Sequence, residues 1–195
     1  MSPSRLEAFS DGVLAVVITI LVLELHVEPG TGLAAQLAEQ WPVLLAYLVS
    51  FAVVGVIWIQ HHALFRLVAS VDRVVLVWNL ILLLAVSLLP FAAKGVGAFL
   101  DGDPSDARLA IALYGISMEA MAIAFTVILW HVLRAGLGKE PTSRADARRS
   151  VLRFGAGTLV YPVVIAIGFW SPVAAMVGFG LVVCLYLAER TPAPN

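Results

Sequence analysis

Aliphatic side chains run along this chain in six blocks, separated by short clusters of charged residues, Gly and Pro. Each block approaches the ~20 residues that cross a bilayer as a helix. The pattern predicts spanning helices over approximately 5–25, 42–64, 74–98, 107–133, 151–169 and 172–188. Between the first two, a short amphipathic piece from Leu33 to Gln40 leads into Trp41-Pro42. Arg66, Asp72 and Arg73 mark the second turn, and Asp101, Gly102, Asp103, Pro104 and Asp106 the third. Arg134 to Ser150 is the longest polar stretch, and Trp170-Ser171-Pro172 closes the last hairpin.

The first block differs from the rest because its start is polar. Arg5, Glu7, Ser10 and Asp11 precede an aliphatic run from Val13 to Leu23 that only Thr19 interrupts. Ionisable groups at membrane depth are costly unless they have partners or a task. At about 100° per residue, Val16, Thr19, Ile20 and Leu23 share one stripe with Gly12. Asp11, Ala15, Ile18 and Val22 take the opposite side, so one face is expected to hold a buried acid and the other aliphatic groups plus one hydroxyl. By spacing alone, the stripe is a surface for lipid or for a neighbouring helix.

Composition excludes a soluble domain: 61% of residues are hydrophobic and 13% charged, with a mean hydropathy of +0.97. The reading is an all-α integral membrane protein, one six-helix domain over 1–195. Asp11 ahead of an apolar run of spanning length argues against a cleaved signal peptide. A single cysteine, Cys184, allows no disulfide within the chain and no thiolate metal site. Nothing points to nucleic acid.

Orientation follows from the bases. With a cytoplasmic N-terminus, Arg5, Arg66, Arg73, Arg134, Lys139, Arg144, Arg148, Arg149, Arg153 and Arg190 lie inside, 10 of the 12 Lys and Arg, leaving Lys94 and Arg108 outside. Both termini are then cytoplasmic. The outer side is acidic, with Glu24, Glu28, Glu39, Asp101, Asp103 and Asp106; such a rim either concentrates cations modestly or is a solvated loop.

The same topology brings Ser10-Asp11, Gln60-His61-His62 and Asn79 to one depth, near the cytoplasmic side. A buried acid among His and Asn donors costs far less than an unpaired one, so the group reads as a polar clamp joining the first three helices. A zinc reading is disfavoured because His61 and His62 are adjacent, ~100° apart on a helix. Glu119 stands near the middle of the fourth segment: either a proton or cation site, or a structural hydrogen-bond partner of Tyr161 or Ser87. The chain has no phosphate loop, dinucleotide fingerprint or nucleophile elbow, so no cofactor and no enzyme activity are expected.

Arg5-x-x-x-Phe9-Ser10-Asp11 ahead of the aliphatic run Val16–Leu23 resembles the signature of the transmembrane-protein-175 family of potassium channels. Trp58-Ile-Gln-His-His62 with Phe65, and Asn79 to Phe91 with its Ser-Leu-Leu-Pro, resemble the bacterial branch. The resemblance implies a homotetramer in lipid, with the first helix of each subunit lining a central pore for potassium and other monovalent cations. By position it implies a constriction at Val16, Ile20 and Leu23, with Thr19 as a hydroxyl layer, and a polar network over Arg5, Phe9, Ser10, Asp11, His61, His62 and Asn79. Val16 is smaller than expected for the first constriction position, which moves the narrowest ring toward Ile20 or Leu23. The implied function is a potassium-selective leak channel of a prokaryotic plasma membrane. The alternative is a proton-coupled carrier worked by Glu119 or by Asp11, His61 and His62; an enzyme built on Asp11 and His62 lacks a nucleophile or cofactor motif.

Overall fold

The computed structural model describes residues 2–29, 32–139, 151–152, 155 and 157–188. Among these the chain forms seven α-helices and one 3₁₀ turn. Helix α1 is Pro3–Ile20, extended by the 3₁₀ turn Leu21–Glu24; α2 is Leu33–Glu39, α3 Trp41–Leu67, α4 Arg73–Phe99, α5 Pro104–Arg134, α6 Gly157–Gly168 and α7 Pro172–Ala188. Pro3, Pro42 and Pro104 all fall in the first two positions of their helices, where the missing N–H is no loss. Asp72 caps α4 by accepting from Val75 N at 2.9 Å.

Four of the predicted segments, Pro3–Glu24 with the 3₁₀ turn, Trp41–Leu67, Arg73–Phe99 and Pro104–Arg134, are long and apolar enough to cross a membrane. Helices α6 and α7 are apolar but shorter. Residues 153, 154 and 156 of the fifth predicted segment lie outside the described residues, as do Arg144, Arg148, Arg149 and Arg190. The amphipathic piece after Pro29 is a real helix, α2. Its Gln36 and Gln40 imitate a β-strand: Gln36 exchanges two hydrogen bonds with the backbone of Glu28, and Gln40 two with that of His26. This amide ladder holds the extended stretch after α1 against α2.

Helices α4 and α5 form the most extensively packed hairpin; α3 packs on α4, α6 on α5, and α7 on α6, α3 and α5. Helix α1 lies against α3 and α4. The α5–α6 contact depends on Gly115: a Cβ there would overlap Ile165 and come within 3.0 Å of the Phe179 ring. Small residues of this kind let membrane helices approach closely. Between α3 and α5, the buried hydroxyls of Ser50 and Tyr114 share a hydrogen bond of 2.9 Å.

On the side where the basic turns gather, α5 ends in a Schellman turn with Gly136 at φ 65 and Leu137 N donating to Val132 O at 3.0 Å. The strand-like stretch that follows pairs with the α3–α4 turn: Ala69 N donates to Leu137 O and Lys139 N to Leu67 O, both at 2.8 Å. His131 of α5 meets the free oxygen of Asp72 at 2.7 Å. The start of the long polar stretch is therefore part of the fold.

Candidate functional site

Helix α1 carries three distinct longitudinal surfaces. Leu6, Ser10, Leu14, Val17 and Leu21 are buried against the rest of the bundle. Glu7, Asp11 and Ile18 are half-buried at one flank. Phe9, Gly12, Ala15, Val16, Thr19, Ile20, Val22 and Leu23 are exposed, Val16 at 56% and Leu23 at 67%. The expected stripe of Val16, Thr19, Ile20 and Leu23 is thus exposed on the surface of the chain.

The side expected to lie opposite that stripe is corrected. Ala15 and Val22 are exposed, and Asp11 is half-buried rather than enclosed. The polarity of Asp11 pointed to a buried face, whereas the packed face is the one carrying Ser10. Leu14, Val17 and Leu21 could not declare themselves, because a packed aliphatic and a lipid-facing one read alike in sequence.

Hydrogen bonds join α1 to α3 and α4 in two separate parts. In the first, Ser10 Oγ donates to Leu6 O at 2.9 Å and accepts from Asn79 Nδ2 at 3.0 Å, while Asn79 Oδ1 lies 2.9 Å from His61 Nε2. Ser10, Asn79 and His61 have no exposed surface, so this chain joins α1, α4 and α3 inside the bundle. Phe65, one turn on, stacks on the His61 ring at 4.3 Å.

The second part runs along the flank. His62 Nδ1 meets Glu7 Oε1 at 2.7 Å, and Trp58 Nε1 donates to Asp11 Oδ1 at 3.1 Å. Residues 7 and 11 on α1 and 62 and 58 on α3 are each four apart, so two antiparallel helices present two matched rungs. Glu7 and Trp58 are the partners the sequence reading did not assign, although their spacing was visible. Asp11 therefore joins neither Ser10 nor His61. Arg5 is exposed, and among the described residues no ion pair ties it to Asp11. Phe9 is exposed beside the stripe rather than within the network.

Gln60 also leaves the clamp. It lines a cavity of about 50 Å³ together with Val53, Met118, Thr126, Tyr161 and Tyr186. Glu119, near this region on α5, has its Oε2 buried without a hydrogen-bond partner among the described residues. Ser87, one expected partner, instead donates to its own helix at Leu84 O, 2.8 Å away. Among the described residues no group of three or more His, Cys, Asp and Glu side chains stands close enough to hold a metal ion.

On the exposed stripe, Thr19 Oγ1 donates its proton to Val16 O at 2.8 Å. The hydroxyl hydrogen is turned back into the helix, and the oxygen lone pairs are left facing outward. A cation requires that orientation of an oxygen ligand.

A family model described as "Endosomal/lysosomal potassium channel TMEM175" matches residues 5–90, the part of the chain that holds the stripe and both halves of the clamp. A potassium channel of Streptomyces collinus is 38% identical over 196 residues, covering 98% of this chain and 94% of that one. The chain belongs to the TMEM175 family. The crystal structure of a lysosomal potassium-selective channel TMEM175 homolog from Chamaesiphon minutus superposes with a TM-score of 0.84 at 32% identity, covering 95% of this chain and 96% of that one. The human endosomal/lysosomal proton channel TMEM175 is 32% identical over 184 residues, 88% of this chain but 36% of its own length. TMEM175 members and these relatives are ion channels, not enzymes. The chain is accordingly a multi-pass membrane protein with the TMEM175 fold.

Proposed function

We propose that this protein is a potassium-selective leak channel of a prokaryotic plasma membrane, a homotetramer of six-span subunits with both termini cytoplasmic and α1 lining the pore. One observation carries the reading: α1 is packed along a single edge and presents Val16, Thr19, Ile20 and Leu23 as a continuous free stripe. Four such stripes around an axis give aliphatic rings narrow enough to dewet, and a small rotation of α1 raises or lowers that barrier. Potassium sheds water more readily than sodium, and four outward Thr19 oxygens replace part of the lost shell. The two-part clamp fixes the rotation of α1. The bacterial relatives from Streptomyces collinus and Chamaesiphon minutus, both potassium channels, support the ion assignment.

The test is purified protein in liposomes under a potassium gradient, with potassium and sodium flux recorded for wild type and Ile20→Ala. Passive, non-saturating potassium flux that rises in Ile20→Ala is the expected result. Identical flux in Ile20→Ala moves the constriction off Ile20, and identical flux in Leu23→Ala as well moves it off the outer half of the stripe.

A second reading is a proton-coupled carrier worked by Glu119, supported by the partnerless buried Oε2 at mid-helix. Saturable, proton-dependent uptake abolished by Glu119→Gln would favour it over the channel.

A further inference from the structure

The last residue of the 3₁₀ turn that extends α1 is Glu24, directly after Leu23 at the end of the exposed stripe. The chain then leaves the helix, with Leu25 extended at φ −83 and ψ 112. Lys94 of α4 reaches across to this carboxylate, its Nζ 3.2 Å from Oε2 and 3.4 Å from Oε1. Among the described residues this is the one ion pair at that end of the bundle. The other charged residues that the topology assigns to this side are mainly acidic: Glu28, Glu39, Asp101, Asp103 and Asp106, with Arg108 as the other base.

The lysine side chain is 64% exposed, and the carboxylate 28%. Exposed ion pairs contribute little to stability. Their charge still acts at a distance, because clustered charge beside an opening raises or lowers the local concentration of a mobile ion. A carboxylate one residue from the end of the stripe attracts cations there, and an ammonium locked onto it cancels most of that attraction.

We infer that Lys94 sets the electrostatic field at the outer mouth by neutralising Glu24, and so limits the rate at which cations enter from outside. This rests on the reading that α1 lines the pore. Each subunit then places one compensated carboxylate at the mouth. Removing the ammonium leaves four bare carboxylates around the axis, and removing the carboxylate leaves four bare ammonium groups. The two single substitutions must therefore change inward current in opposite directions.

Single-channel recording of the full chain in planar bilayers tests this with Lys94→Gln, Lys94→Met, Glu24→Gln and the double variant Lys94→Gln/Glu24→Gln. In about 20 mM potassium chloride the screening length is roughly 20 Å, and in about 1 M it is ~3 Å. At low salt, inward conductance should rise about two- to threefold in both Lys94 variants, fall by a similar factor in Glu24→Gln and return near wild type in the double variant. At high salt wild type and the four variants should converge. Loss of a merely structural tie would shift both single variants the same way and persist at high salt, and that outcome overturns the inference, as does unchanged inward conductance in both Lys94 variants at low salt. Absence of passive current in wild type would instead sink the pore reading itself.

Discussion

Asn79 bridges Ser10 and His61 by turning its two amide atoms to different helices: Nδ2 donates to Ser10 Oγ at 3.0 Å, and Oδ1 lies 2.9 Å from His61 Nε2. An amide oxygen can only accept, so His61 donates from Nε2 and its Nδ1 is the acceptor that remains without a partner. The ring is thereby fixed in one tautomer and one orientation, with Phe65 stacked on its face.

Asn79→Ala removes the centre of this chain, leaving the buried His61 Nε2–H unsatisfied and Ser10 Oγ with only its bond to Leu6 O. An unsatisfied buried donor costs about 1–3 kcal/mol, and relaxation of the bundle recovers part of it. A fall in thermal midpoint in detergent of several degrees is expected, larger than that of Asn79→Asp, which keeps an acceptor for His61. Equal midpoints for wild type and Asn79→Ala would show that the chain contributes nothing to holding α1.

The flank rungs behave differently because they are partly exposed. Asp11→Asn weakens the Trp58 bond and Trp58→Phe deletes it, each at about 0.5–1.5 kcal/mol. Since both act on one contact, the double variant should be scarcely less stable than Trp58→Phe alone. Strict additivity of the two losses would mean that the 3.1 Å contact between them is not what stabilises α1.

Much of this architecture is legible in the sequence. Long uninterrupted aliphatic runs bounded by Arg, Asp and Pro leave few alternatives to membrane-length helices, and α1, α3, α4 and α5 fall within a few residues of their predicted spans. Ser10, His61 and Asn79, expected together from their similar distances to basic turns, do meet. Gln60 does not join them, because its rotation on α3 turns it to a cavity beside α5. The expectation failed in part for Asp11, where a hydrogen-bond donor on a tryptophan was overlooked as a partner for an acid. Rotation about a helix axis is set by packing between aliphatic surfaces, and those surfaces carry no label in the sequence.

Gly115 tests that packing directly. With Ile165 and Phe179 filling the space a Cβ would need, Gly115→Leu forces α5 and α6 apart. Overpacking of this kind costs about 1–3 kcal/mol or more, partly offset by the better helix propensity of leucine. Thermal unfolding of Gly115→Leu against the neutral surface change Ile116→Leu measures it, and equal midpoints would contradict the close approach.

Acid should loosen the α3–α4 turn. Asp72 has its carboxyl held below the ordinary aspartate range, chiefly by the hydrogen bond from Val75 N and next by that from His131. A carboxyl with a lowered folded-state value contributes stability that is complete above its unfolded value of about 3.9 and is lost as pH falls through the folded value. Wild type should therefore exceed Asp72→Asn in thermal midpoint at neutral pH, with the gap closing below about pH 4. A gap that stays constant to pH 3 would assign the effect to packing instead of charge.

The hydroxyl of Thr19 gives the sharpest test of the pore reading, because its proton is already committed to Val16 O at 2.8 Å. Thr19→Val preserves shape and bulk while removing the outward oxygen, so potassium and sodium currents should draw closer together without loss of assembly. Thr19→Ser retains the oxygen and can make the same backward bond, so its selectivity should stay near wild type. The pair separates oxygen ligation from aliphatic constriction: a Thr19→Val channel as selective as wild type would leave dehydration at Ile20 and Leu23 as the whole source of discrimination. Reversal potentials under potassium and sodium on opposite sides of the membrane read the difference directly, independent of how many channels each preparation contains.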